Sequence, residues 1–228
     1  MRVRLLAACL AALSCATAHA NRPLNTDTAD VTERGTCQFE PYGGQERVSG
    51  ETSISLGFAQ LSCGIGLRTQ FGLSAARASS AGEHADGLAL SGKSELISLE
   101  DGRFGISVGY GLGWSRPSND SWHQDAQAVY LIASRRLAEP VMVHANLGHS
   151  RTRLGEGNST TWGAAVEWNF APRWTFTAES FGNDRGNPWG SLGLLYEVTK
   201  GFTVNSSLGT RFGGRSNTLW TAGFNFEF

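Results

Sequence analysis

From residue 104 to the end of the chain, apolar and small or polar residues alternate with a period of two. Phe104, Ile106, Val108, Tyr110, Leu112 and Trp114 are separated by Gly105, Ser107, Gly109, Gly111 and Gly113. Trp162, Ala164, Val166, Trp168 and Phe170 repeat the pattern, as do Trp220, Ala222, Phe224, Phe226 and Phe228. This is the signature of β-strands with one apolar face, and a helix would need a period near 3.6. The alternation and the turn residues between its runs predict twelve strands, at 37–48, 52–63, 68–77, 88–98, 103–114, 122–135, 141–152, 160–170, 174–182, 189–198, 202–212 and 218–228. The predicted connections also alternate. Gly64–Leu67, Leu99–Gly102, Leu137–Pro140, Ala171–Arg173 and Thr199–Gly201 are tight, whereas Ala78–Gly87, Ser115–Ser121, Arg153–Ser159, Gly182–Asn187 and Gly213–Asn217 are longer. Ser49–Glu51 is short and breaks the rule.

Short turns at one end and longer loops at the other are the habit of a transmembrane barrel, and an even strand number puts both termini on the short-turn side. A soluble sandwich would bury the apolar face instead. Three features favour the barrel. Aromatics gather near strand ends (Trp114, Trp162, Phe170, Trp174, Trp189, Phe202, Trp220), where interfacial girdles belong. Small residues crowd the polar face, which suits a narrow lumen. The last strand carries Trp220, Phe224, Phe226 and the terminal Phe228 on one face, which resembles the assembly signal of bacterial outer-membrane barrels. The fold expected is an all-β, antiparallel, up-and-down transmembrane barrel of about twelve strands. The partners expected are outer-membrane lipid and, through the last strand, the barrel assembly machinery.

The start of the chain fixes the compartment. Arg2 and Arg4, an apolar run from Leu5 to Leu13 and Ala18-His19-Ala20 form an export signal over residues 1–20, too short to span a bilayer. Cys15 invites a lipoprotein reading, but the Ala-x-Ala site is better placed. Residues 21–35 are polar and read as a periplasmic arm, leaving 36–228 for the barrel. Without the signal the net charge is −3, and no basic stretch offers a nucleic-acid footprint. Cys37 and Cys63 remain as an even pair in an oxidising compartment, which favours a disulfide over a zinc site lacking a four-ligand set. Pairing them across the first hairpin puts the turn at Ser49-Gly50. It also puts Phe39 and Leu61 on the face opposite Tyr42, Phe58, Leu56 and Ile54, so a bulge is expected in one of the two strands.

Arg22-Pro23-Leu24, Thr26-Asp27, Ala29 and Gly35-Thr36-Cys37-Gln38-Phe39-Glu40 resemble the start of mature proteins in the MetA-pathway of phenol degradation family. Thr28 stands where a second Asp is common there, and Gly92-Lys93-Ser94-Glu95-Leu96 is a fainter echo. The match covers about twenty residues. It implies an envelope barrel of transporter type and, on this ground alone, aromatic compounds as solutes. It brings no catalytic residues.

Chemistry in the chain itself is sparse. His149 and Ser150 are adjacent and therefore point to opposite faces, and His144 has no Ser at 146, so neither forms a nucleophile and base on its own strand. No metal-spaced ligand set or phosphate loop is present, and no cofactor is expected. By strand parity Lys93, Glu95, Glu167, Glu179, Glu197, Arg211 and Glu227 face the lumen, with the carboxylates of the ninth and neighbouring strands grouped on one wall beside Arg211. The arm looks too small to act as a plug. The expected function is a narrow channel or transporter for small solutes in the outer membrane. A structural barrel with a closed lumen and an outer-membrane lipid-modifying hydrolase are the alternatives.

Overall fold

The computed structural model of the chain describes residues 23–99, 104–154, 157–213 and 217–228. The expected signal, Met1–Ala20, lies outside these residues. The strands are β1 (Cys37–Val48), β2 (Ile54–Gly66), β3 (Thr69–Ser80), β4 (Glu83–Ile97), β5 (Phe104–Pro117), β6 (His123–Ala138), β7 (Val141–Thr152), β8 (Asn158–Ala171), β9 (Trp174–Asn183), β10 (Trp189–Thr199), β11 (Phe202–Arg211) and β12 (Asn217–Glu227). Each is antiparallel to its chain neighbours, and β12 returns to pair with β1, closing the barrel. The seam is completed when Cys37 and Phe228 exchange backbone hydrogen bonds of 2.8 and 2.9 Å. Closure removes the exposed edges that an open sheet would have. The end carrying Cys37 and Phe228 is called the lower rim below, and the opposite end the upper rim.

The two faces of the wall are inverted relative to a water-soluble protein. Leu73, Leu90, Leu131, Leu147, Leu192 and Leu208 are all about half exposed on the outside. Gln60, Ser74, Ser107, Ser134, Thr177 and Thr221 are buried inside. Backbone polar groups are satisfied by the ladder, so the apolar outside can meet acyl chains at no hydrogen-bonding cost. Aromatics flank this belt: Trp162 and Trp220 stand toward the upper rim, and Trp168, Phe170, Trp174 and Phe226 toward the lower. Trp189 departs from the expectation. It pairs with Phe181 and Arg211 and shares the lumen face with buried Ser191.

The disulfide Cys37–Cys63 is formed, and its two residues are direct cross-strand partners at the lower rim. The bulge expected between β1 and β2 is not needed. Ten successive pairs run from Cys37↔Cys63 to Glu46↔Ile54 without a shift. Tyr42, Ile54, Leu56 and Phe58 instead point inward. Tyr42 stacks on Phe58 at 4.9 Å, and Ile54 and Leu56 pack on Ala78 and Ala85. One sector of the lumen is therefore apolar, as the alternation of these strands requires without a bulge. The connection between β3 and β4 is also shorter than predicted. Both strands extend to a two-residue turn at Ala81-Gly82, with φ of 51° and 84°. Paired positive φ values match the twist of a hairpin, which is why the run of alternation ended late there.

Candidate functional site

The lumen is occupied by the chain's own N-terminal arm. Expected as a periplasmic lead-in too small to plug anything, the segment from Pro23 to Arg34 lies inside the wall. Leu24, Thr26, Asp27 and Ala29 are each no more than 1% exposed. Read backwards from the barrel, the arm runs around the wall from β2 toward β9, with the long Lys93 side chain of β4 reaching ahead to Asp27 and Thr28. Arg34 bridges to Gly64 on β2, and Thr32 N–H donates to Gln70 Oε1 on β3. Lys93 Nζ on β4 donates to Asp27 Oδ1 at 3.0 Å and to the Thr28 carbonyl at 2.7 Å. Ser107 Oγ on β5 donates to the Ala29 carbonyl, and Ala29 N–H donates to Ser134 Oγ on β6 at 2.8 Å. Tyr130, also on β6, donates to Asp27 Oδ2 at 3.3 Å. With its amide turned to suit both groups, Asn146 on β7 brackets the Asp27 peptide. Glu179 on β9 then accepts from Asn25 N–H, Asn25 Nδ2, Thr26 N–H and Thr26 Oγ1 at 2.8 to 3.0 Å.

The wall makes room for this backbone by omitting side chains. A Cβ placed on Gly64 would stand 2.1 Å from the Glu33 carbonyl oxygen. On Gly193 of β10 it would stand 2.3 Å from Pro23 Cγ, and on Gly163 of β8 it would stand 2.7 Å from Thr26 Oγ1. The arm thus follows the inner wall from β2 to β10, and it narrows the bore over its whole arc. Twelve residues reach at most ~43 Å, enough for such an arc but not for a folded plug domain.

The buried groups of Asn25, Thr26, Asp27 and Ala29 are bonded to the wall, as burial requires. The Lys93–Asp27 pair is the most enclosed, with both side chains 1% exposed. Burial of the Asp27 carboxyl outweighs the attraction of Lys93 and the bonds from Lys93, Thr28 and Tyr130, and pushes its pKa up to about 6.

The expected lumen residues all lie on inward register positions, but they do not form one charged wall. Glu179 is spent on the arm. Lys93 is paired by Asp27. Glu167 lies beside His144, with Oε1 3.7 Å from Nε2. Glu95 stands 4.0 Å from Arg68 near the lower rim. Glu197 and Glu227 are exposed near the lower rim, where Gln38 donates to Glu227 Oε2 at 3.1 Å. Arg211 stands at the other end of β11, near the upper rim, and donates to the Asn187 carbonyl at 3.0 Å. The barrel length therefore separates it from Glu197 and Glu227, although their strands adjoin. The aromatic face of β12 is intact: Phe224 and Phe226 pack on Phe202, Phe226 stacks on Phe228, and Trp220 stands above them on the outside.

His144 has no nucleophile on its own strand, but the register supplies one from the neighbouring strand. Ser134 on β6 faces His144 on β7, with Oγ and Nδ1 2.7 Å apart, and Glu167 stands third in the row, its carboxylate 3.7 Å from Nε2 and beyond hydrogen-bond length. In the arm-bound state Ser134 Oγ is also taken by Ala29 N–H, so the row serves as an anchor. Asp27, Gln70, Ser107, Tyr130 and Asn146 were likewise not anticipated. One signal for them was present. Lys93 is paired in register with Gln70 and Gly109, neither of which is an anion, so a lone buried cation had to find its partner off the wall.

The barrel is similar in fold to the KdgM porin solved with disordered oligogalacturonate, at 13% identity and a TM-score of 0.60, over 84% of this chain and 99% of that one. The NanC porin gives 13% and 0.64 over 82% and 98%. The transport unit of the autotransporter AIDA-I from Escherichia coli gives 9% and 0.55 over 99% of each chain. No curated protein matches in sequence. The matching family bears a different description from the MetA-pathway family, whose resemblance stays confined to the arm and the strands quoted for it. The family model matches residues 8–228, and the chain belongs to the family described as Uncharacterised conserved protein UCP029691.

Proposed function

We propose that the protein is an outer-membrane channel for small solutes whose bore is set by its own N-terminal arm. The observation that carries this reading is the arm itself, a polar strap bonded around a polar lumen inside an apolar shell. The alternative is a structural barrel whose lumen the arm closes, and conductance separates the two. Hydrogen-bonding rings and charged side chains at a constriction are how pores discriminate among solutes. The shared fold with porins supports the same class, and the aromatic face of β12 fits a partner that assembles barrels. Aromatic compounds enter as candidate solutes through the MetA-pathway resemblance of the arm. The row Ser134–His144–Glu167 favours a second reading, a hydrolase, which requires the arm to leave Ser134.

Planar-bilayer recording tests the proposal. The full mature chain should give small, steady conductance, and removal of residues 21–34 should enlarge it while the barrel stays heat-modifiable on a gel. Silence from both proteins would refute the channel. Equal conductance would refute the role of the arm. Ester hydrolysis that appears on removal of the arm and is lost with Ser134→Ala would favour the hydrolase.

A further inference from the structure

On the outer face of the barrel, three charged residues stand side by side on three consecutive strands. Register pairs Arg77 of β3 with Asp86 of β4, and Asp86 with Arg116 of β5. The carboxylate divides its two oxygens between the arginines. Arg77 Nε lies 2.6 Å from Oδ1, and Arg116 Nη2 lies 2.7 Å from Oδ2. Arg116 is further fixed over the ring of Trp122, 5.1 Å from its centroid. The Asp86 side chain is 10% exposed, whereas those of Arg77 and Arg116 are 61% and 42% exposed. Asp86 therefore holds the inner edges of two guanidinium groups and leaves their other N–H donors facing outward. The group carries a net charge of +1, and its planar forks are suited to a phosphate.

The location decides which phosphate. The row lies near the upper rim, close to the Ala81-Gly82 turn. Directly beneath it on the same face lie Ala75, Leu88 and Trp114, paired in register, and below those Leu73, Leu90 and Leu112. Successive rows on one face are ~7 Å apart. The charged row thus caps two apolar rows at the level where headgroups meet acyl chains. We infer that Arg77, Asp86 and Arg116 form a site for the phosphate of an outer-leaflet glycolipid, with its acyl chains lying along the rows below. Asp86 acts as a positioning residue that preorganises the two donors. The inference rests on the outer-membrane placement proposed above, but not on conduction.

The test uses the full mature protein in detergent, with bisphosphorylated lipid A as the probe and native mass spectrometry as the readout. Two arginines near a membrane surface correspond to roughly 30-fold in affinity, so Arg77→Gln with Arg116→Gln should weaken lipid A retention by about that factor. Heat-modifiability and conductance should not change. Fully dephosphorylated lipid A should bind the parent as weakly as lipid A binds the double variant, and excess inorganic phosphate should fail to displace lipid A. Equal retention by the double variant would overturn the inference, and so would equal binding of the dephosphorylated lipid. Displacement by inorganic phosphate would reassign the site to the free anion.

Discussion

Replacing Glu179 should release the N-terminal half of the arm. Its carboxylate accepts from four donors on Asn25 and Thr26, and both Glu179 and Thr26 are buried. A hydrogen bond to a charged group contributes ~1.5–3 kcal/mol net, but these four share two oxygens and two residues, so their contributions do not add. About 3 kcal/mol for the whole set is a conservative figure, and it corresponds to roughly a 150-fold change in the ratio of released to docked arm. Released arm can be counted with a Leu24→Cys background, since Leu24 is fully buried against Ala165 and Cys37 and Cys63 are joined to each other. A water-soluble maleimide should label Cys at 24 slowly in the parent and about 100-fold faster with Glu179→Ala. Glu179→Gln should lie between, because an amide oxygen still accepts but carries no charge. Single-channel conductance should rise in the same order. Equal labelling rates with a heat-modifiable barrel would refute the assignment of Glu179 as the anchor.

The other predictions concern the same interior and its closure. Gly64→Val should displace the arm where it leaves the wall, because the new Cβ would collide with the backbone oxygens of Thr32 and Glu33; a cost of ~1–3 kcal/mol should appear as faster trypsin cleavage at Arg34. Docking raises the Asp27 pKa from 3.8 to about 6, so the docked arm binds this proton more tightly than the released arm. Its contribution to docking is complete below the lower value and is lost as pH rises through the upper, so conductance should fall on acidification from pH 7 to 4, and Asp27→Asn should flatten that response. Non-reducing peptide mapping should find Cys37 joined to Cys63; opening this loop of about 25 residues should cost ~3 kcal/mol, read as a lower unfolding midpoint with the barrel still able to form.

The wall of this barrel was legible in the sequence because the membrane imposes a strict rule on it. Lipid outside and polar lumen inside force alternation residue by residue, so Phe104 to Trp114 or Trp220 to Phe228 announce both a strand and its faces. Strand ends were weaker where a tight turn such as Ala81-Gly82 is made of residues that suit a loop equally well. The arm was not legible for the opposite reason. Nothing periodic governs a segment bonded to the inside of a polar wall, and Asn25, Thr26 and Asp27 look alike whether they meet water or Glu179 and Lys93. Hydrophobicity, the main signal for burial, is silent where the buried surface is polar. What betrays the occupant is the wall. Lys93 lies deep in the lumen with no anion opposite it in register, and Gly64, Gly163 and Gly193 leave gaps on the inward face at three separate strands. An uncompensated charge and a set of missing side chains, both facing inward, define a mould, and the polar arm next in the chain carries the carboxylate that fits it.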